Sequence, residues 1–218
     1  MKLPFLRAPA GRERMQLPLF PLRTVLFPGG LLPLKVFEQR YIEMTKSCLR
    51  DEAPFGVCLI TRGDEVATAG PGPADAAAAP TFAPIGTLAR ITAWDMPQGV
   101  LHLAVQGQTR FRVRGHAVRR DGLVVGEVSP LAVEPAVPLT DAFAPLARLL
   151  EVIAARVGPQ HFPTEQAWED ASWVGYRLAE LLPLPLPIKQ SMLEINDASV
   201  RLDVLQKFLK QQGLLQPV

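Results

Sequence analysis

The chain has 218 residues, 48% hydrophobic and 20% charged, enough apolar material for one large core or two modest ones, which excludes a disordered composition. Its net charge of +2 is gathered at the start, where Lys2, Arg7, Arg12 and Arg14 against Glu13 give +3 and leave −1 from residue 15 onward. A nearly neutral body argues against a general polyanion binder, which needs a concentrated basic face to neutralise phosphates. No apolar run approaches the roughly 20 residues of a membrane span, and Leu3 to Leu6 is too short a stretch for a secretory signal. Cys48 and Cys58 lack CxxC spacing. A reduced, cytoplasmic protein with no membrane contact is expected. Residues 1–14 read as a flexible extension preceding a domain that starts near Met15.

Residues 15–130 read as strands. In MQLPLFPLRTVLFPGGLLPLKVF, prolines 18, 21, 28 and 33 rule out a helix and point to short edge or bulged strands, because proline cannot donate to a central ladder. EQRYIEMTKSCL follows as a helix, with Phe37, Tyr41, Met44 and Cys48 at spacings of three and four. FGVCLIT, residues 55–61, is a continuous apolar run that fits a central strand covered on both faces. Residues 63–84 are rich in Ala, Gly and Pro and read as a mobile loop. A meander is expected over 85–130: IGTLARITAWD, a turn at MPQG, VLHLAVQ, a tight reversal at Gly107-Gln108, TRFRVRGHAV, a turn at Asp121-Gly122, then LVVGEVSPL. In it Leu101, Leu103 and Val105 share one face, and Phe111 and Val113 oppose Arg110, Arg112 and Arg114.

Residues 131–138 read as a linker and 139–218 as a helical bundle. A first helix opens near Thr140-Asp141, carries Phe143, Leu146, Leu149, Leu150 and Ile153, holds Pro145 in its first turn and closes at Gly158. A second is expected from a cap at Thr164, with Glu165 near its positive end and Trp168, Ala171, Val174, Leu178 and Leu181 along it, stopping at Pro183. Trp168 and Trp173, five residues apart on that helix, would point about 140° apart. LPLPLP is a stiff connector. IKQSMLEI and a segment from a cap at Asn196 or Asp197 through Val200, Leu202, Leu205 and Leu209 to Gly213 complete four helices.

The chemistry searched for is missing. The sequence has no GxxxxGK[ST], HExxH or GxSxG, its histidines stand alone at 102, 116 and 161, and Ser191 and Lys189 are two apart, where helical side chains do not face each other. No enzyme activity, cofactor or metal is expected.

LPLFPLRTVLFPGGLLPLKVFEQRYIEM, residues 17–44, resembles the opening signature of the amino-terminal domain of Lon-type ATP-dependent proteases. The resemblance continues in order through FGVCLI, IGTLARI, GVLHLAVQGQTRFRV, WVGYRLAELLPLPLPIKQSMLE and RLDVL, so it covers nearly everything after Met15. It implies an α+β fold, a PUA-like β pseudobarrel with one helix followed by a carboxy-terminal helical bundle. It also implies a noncatalytic polypeptide-binding or adaptor module standing apart from any ATPase or peptidase. The loop at 63–84 is long for that family. Expected partners are unfolded or tagged polypeptide or another protein, with a homodimer left open.

Candidate ligand-binding residues are Pro28, Gly29, Gly30, Phe37, Arg40, Tyr41, Arg90 and Arg110. Recognition is expected to use apolar surface near the turn at Pro28 to Gly30 and the helix carrying Tyr41, with an extended peptide able to lie along an exposed strand edge. Against this stands a structural reading, in which Phe27, Leu32, Leu34 and Phe37 are core and Glu38, Arg40, Arg90 and Arg110 form a buried network. The alternative function is RNA binding through the stripe Arg110, Arg112, Arg114, His116, Arg119 and Arg120. The stripe has no interleaved aromatics for base stacking, which favours a solvated strand face.

Overall fold

The β-rich half closes on itself. In a computed structural model describing residues 14–63, 81–159 and 162–215, its elements are β1 (Met15–Leu22), β2 (Leu31–Val36), α1 (Gln39–Asp51), β3 (Phe55–Arg62), β4 (Thr81–Phe82), β5 (Ile85–Asp95), β6 (Leu101–Val118) and β7 (Val124–Pro130). The order β1-β7-β6-β5-β3, with β3 returning in parallel to β1, makes a ring of five strands. β2 pairs with the first half of β6 and β4 with β3.

Prolines act differently in the two early strands. β1 has a neighbour on both sides, contrary to the edge position expected of it, but it meets β7 over Met15–Leu19 and β3 over Leu19–Leu22. The ladders overlap only at Leu19, so Pro18 lies in one and Pro21 in the other, and neither has to serve both. β2, with Pro33, is an edge strand as expected. Between them the Gly30 N–H donates to the Phe27 carbonyl at 2.9 Å with Gly29 at φ +72°. The Gly29 N–H then donates to the Gly107 carbonyl at 2.8 Å and the Gly107 N–H to the Gly30 carbonyl at 2.8 Å. This is a glycine bulge that hooks the turn onto β6.

That hook explains why Gly107 is not a reversal. β6 runs unbroken for 18 residues. Gly107 is there because a Cβ would overlap the Phe27 carbonyl oxygen, a close approach that mimics a turn signal in sequence. The turn at Asp121-Gly122 is present, with Gly122 at φ +81° and the Asp121 carboxylate accepting from the Leu123 N–H at 3.0 Å. β3 is buried from Phe55 to Ile60, as its apolar run requires. Tyr41, Met44 and Cys48 of α1 are buried in one core with Phe20, Phe55 and Leu103 of the strands, whereas Phe37, expected on the same face, precedes the helix and is 64% exposed. The expected loop 63–84 ends early: Thr81–Phe82 pair with β3 and Ala83 is buried, while 64–80 and residues 1–13 lie outside the described residues. Arg14 is described and pairs with Glu127 at 2.8 Å.

The helices are α2 (Ala144–Val157), α3 (Ala171–Leu181), α4 (Leu186–Glu194) and α5 (Ala198–Gln211). α2 buries Leu146 and Leu150 behind Phe143, has Pro145 in its first turn and stops at Gly158, φ +86°. α3 starts seven residues after the expected cap. Its cap is Asp170, which accepts from the Ser172 N–H at 2.9 Å, because the preceding backbone is committed elsewhere: Leu139 donates to Glu169 and Ala171 to Val137 in a short extended bridge. Trp168 therefore lies outside the helix and meets Trp173 edge-on at 5.0 Å beside Phe162, instead of pointing away from it. α4 begins at Leu186, which shortens the connector, and Asp197 caps α5 by accepting from the Val200 N–H at 3.0 Å. Val200 itself is exposed, and Arg201 takes the interior position.

Bundle and barrel share one core. Phe27, Leu59 and Ile85 from the barrel wall pack with Leu146, Val174, Leu178, Leu202 and Leu209. Substituting Gly107→Ala should lower stability by about 2–3 kcal/mol, since the methyl meets backbone that cannot swing aside. A shifted urea midpoint at unchanged slope would register it, and an unshifted midpoint would contradict the contact.

Candidate functional site

Barrel and bundle meet at one carboxylate. Glu134 lies in the segment between β7 and α2 that read as a linker, yet its side chain is only 8% exposed. Arg201 of α5 grips it with both terminal nitrogens, at 3.0 and 2.6 Å, and Arg110 of β6 reaches the same carboxylate at 3.0 Å. Ser172 and Tyr176 of α3 donate hydroxyls at 2.6 and 2.5 Å. The guanidinium of Arg201 also stacks 3.8 Å from the centre of the Tyr176 ring.

Two buried cations share one anion, and the end of α4 supplies the balance. Arg201 donates to the carbonyls of Met192 and Ile195 at 3.0 and 2.6 Å, and Arg110 to those of Leu193 and Ile195 at 2.7 and 3.1 Å. These are the carbonyls a helix leaves without partners, at the negative end of its dipole. Burial alone would raise the Glu134 carboxyl, but the hydrogen bonds from Arg201, Ser172 and Tyr176 outweigh it and hold it below its ordinary value. Burial pushes the Tyr176 phenol up, so it stays a donor.

A second contact fastens the glycine turn. Arg177, 1% exposed, donates to the Pro28 carbonyl at 2.8 Å and pairs with Glu180 at 2.9 Å. Gly30 lies so close that a Cβ would strike the Glu180 carboxylate. The turn is therefore a docking point for α3.

The expected ligand residues thus separate into several places. Pro28, Gly29 and Arg110 border a cleft of about 490 Å³ between barrel and bundle, together with Glu134, Ser172, Trp173 and Tyr176, but the charged groups there are occupied by one another. Tyr41 is buried and stacked on Phe20 at 3.9 Å, which removes it from any ligand-facing surface. Arg40 lies over the Tyr41 ring, pairs with Glu38 at 2.8 Å and donates to the Gly122 carbonyl. Arg90 is exposed on β5. The basic stripe loses its first member, since Arg110 is inside, while Arg114 leans on Ser129 and Arg119 pairs with Asp121.

Nothing among the described residues resembles a catalytic constellation. Ser191 donates to the Pro187 carbonyl and Lys189 to that of Glu180, so they do not meet. Burial pushes the Cys48 thiol up to about 11, with help from Asp51, and the Cys58 thiol up to about 12, leaving neither as a nucleophile.

Several large apolar side chains also remain open to solvent. Phe37, Trp94, Met96 and Val100 are 64%, 57%, 46% and 37% exposed. The register puts them at one end of the β5–β6–β2 sheet: Val36 is opposite Leu101, so Phe37 comes beside Val100, and Trp94 is opposite Leu103. Only Phe37 of this group was anticipated. Trp94 and Met96 sit in an alternating strand and at a turn, and alternation does not reveal that the strand outruns its core.

The barrel, hooked turn and bundle coincide with a known family. The profile described as the ATP-dependent protease La (LON) substrate-binding domain matches residues 16–211. The chain belongs to the Lon substrate-binding domain family. It is 30% identical over 95% of its length to Lon protease 1 of Sorangium cellulosum, covering 26% of that protein, and 40% identical to the Lon protease of Anaeromyxobacter dehalogenans over 44% of its own length and 11% of that protein's. The chain thus spans about a quarter or less of these curated relatives. Among solved structures, a Lon N-terminal domain protein from Xanthomonas campestris superposes with a TM-score of 0.71 at 38% identity, covering 88% of this chain and 98% of that one. The N-terminal domain of a Mycobacterium avium complex Lon protease gives 0.61 at 17% identity, covering 90% and 98%, a likeness of fold.

Removing the shared carboxylate of this Lon-type domain should be severe. Glu134→Ala strands two buried guanidinium groups, and a loss of about 3–5 kcal/mol is expected. Because the folded carboxyl lies below its unfolded value, its contribution is full above the unfolded value of about 4.3 and is lost as pH falls through the folded one. Urea midpoints between pH 7 and pH 3 should therefore fall more steeply for wild type than for Glu134→Gln. Parallel slopes would remove Glu134 from the acid response.

Proposed function

We propose that the chain is a noncatalytic module that binds unfolded polypeptide and can act as an adaptor, and that it does so at the apolar end of the β5–β6–β2 sheet. The observation that carries this reading is the gathering of four large exposed apolar side chains, Phe37, Trp94, Met96 and Val100, at one end of the sheet, while the buried charges Glu134, Arg110, Arg177 and Arg201 are paired internally. Recognition of many unrelated sequences calls for non-directional contact, which apolar surface supplies and a directed polar site does not. The family description, a substrate-binding domain, supports a polypeptide ligand. So does the lack of any phosphate-cradling loop in the 218 residues, which speaks against nucleotide as the ligand. The site differs from the position expected at Pro28 to Gly30 and Tyr41, because Gly30 and Tyr41 are buried and the Pro28 carbonyl is taken by Arg177, whereas Phe37 faces solvent. Buried free thiols at Cys48 and Cys58 support a reducing, cytoplasmic setting.

Fluorescence anisotropy with a carboxymethylated, permanently unfolded protein tests this. Phe37→Ser combined with Trp94→Ser should weaken binding about tenfold or more without lowering Tm. Wild-type affinity should change by less than about twofold between low and high salt. Reversal of Arg112 and Arg114 to Glu should leave it unaltered. Steep salt dependence that disappears in the charge-reversed variant, with RNA as competitor, would replace this reading by the RNA-binding one.

A further inference from the structure

The edge of β2 has a defined chemistry that follows from the bulge at Gly29 and Gly30. The Gly30 carbonyl accepts from the Gly107 N–H, so Gly30 faces β6. In an antiparallel ladder the N–H and C=O of one residue point to the same side and alternate along the strand. Leu32, Leu34 and Val36, opposite Val105, Leu103 and Leu101, therefore also bond to β6, and Leu31, Pro33 and Lys35 turn their backbone groups away from it. Two facts agree with this parity. Pro33 has no N–H to lose, and the Leu31 N–H donates to the Glu180 carboxylate, off the sheet. Among the described residues no strand pairs with the far side of β2.

We propose that an extended polypeptide adds itself as a strand along this edge, bonding to the N–H and C=O of Lys35 and the C=O of Pro33. This deepens the polypeptide-binding reading above and rests on it. The occupant is specified by the edge itself: backbone carbonyls at strand spacing with the Lys35 N–H among them are matched by another extended backbone and by few other ligands. The half-exposed Leu32 and Leu34 side chains lie on the other parity, and they favour apolar residues at every second position of the guest. Lys35 projects from the opposite face and favours an acidic residue there. Phe37, the next residue beyond the strand, continues the track into the exposed apolar end. Pro33 interrupts the donor row and makes the edge poor at pairing with itself while leaving its acceptors available.

The test uses the full chain and a labelled decapeptide that alternates valine with threonine and glutamate. Two analogues carry N-methyl groups on every second amide, one on the odd residues and one on the even. Strand addition uses one edge of the peptide, so one analogue should lose at least about tenfold in affinity and the other little. Hydrogen exchange at the Lys35 amide should slow at least about tenfold when the peptide saturates, and Lys35→Pro should weaken binding about fivefold. If Lys35→Pro does not fold, the methylated pair and the exchange measurement decide the matter. Equal binding of the two analogues with unchanged Lys35 exchange overturns edge pairing and leaves apolar capture standing. Failure of both this peptide and the unfolded protein to bind overturns both readings. Concentration-dependent protection of Lys35 in the free protein, with a dimer in sedimentation, assigns the edge to a second copy and overturns the proposal.

Discussion

A buried carboxylate held by two buried arginines ties the barrel to the bundle. Glu134 is reached from β6, α3 and α5 at once, and its arginines in turn close the carboxyl end of α4. Each charge taken from water needs a partner with good geometry, or its desolvation exceeds what attraction returns. Here the surplus positive charge is met by helix carbonyls that themselves lack partners. The cluster is thus satisfied only when all these elements are in place, and it ties the orientation of the bundle to the register of a barrel strand.

Patterns that depend on neighbours in sequence were legible. The apolar run of β3, the stripe of α1 at Tyr41, Met44 and Cys48, the Asp121-Gly122 turn and the stop at Gly158 all follow from periodicity or local backbone freedom. What failed depended on a distant partner. Gly107 looked like a reversal because glycine marks both a turn and a close approach, and only the Phe27 carbonyl on another strand separates the two. The start of α3 was misplaced because a plausible cap at Thr164 was in competition with an extended bridge to residues 137–139. The RNA stripe shrank for a related reason: alternation along β6 correctly put Phe111 and Arg110 on opposite faces, but the bundle covers the second face as well.

The candidate site was less legible than the fold. A family signature is made mostly of residues that hold the architecture, so Pro28, Gly29, Gly30, Tyr41 and Arg110 proved to be inside it or against it. One signal could have been used: Arg177 and Arg201 occupy interior positions of apolar helical stripes, and an arginine there implies a buried acid elsewhere. Glu134, in a short segment rich in Pro and Ala, is the acid nearest the chain junction. The exposed aromatic end had no comparable marker, because exposure of Trp94 depends on how far β5 extends past the strands that cover it.

The closure of the barrel also sets an order of events during synthesis. β1 pairs with β3 within the first 62 residues, but its other ladder is made with β7 at Val124 to Val128, more than 100 positions later in the chain. One flank of β1 therefore stays unpaired until most of the β-rich half has left the ribosome, a non-local contact of the kind that slows folding and exposes strand edges to other chains. Pro18 lies in the waiting ladder opposite Val125, whose backbone groups face β6, so its missing donor points away from β7 and costs the late-forming ladder no bond. A residue that looks like an obstacle to sheet formation therefore leaves the last closing step of the barrel unimpeded.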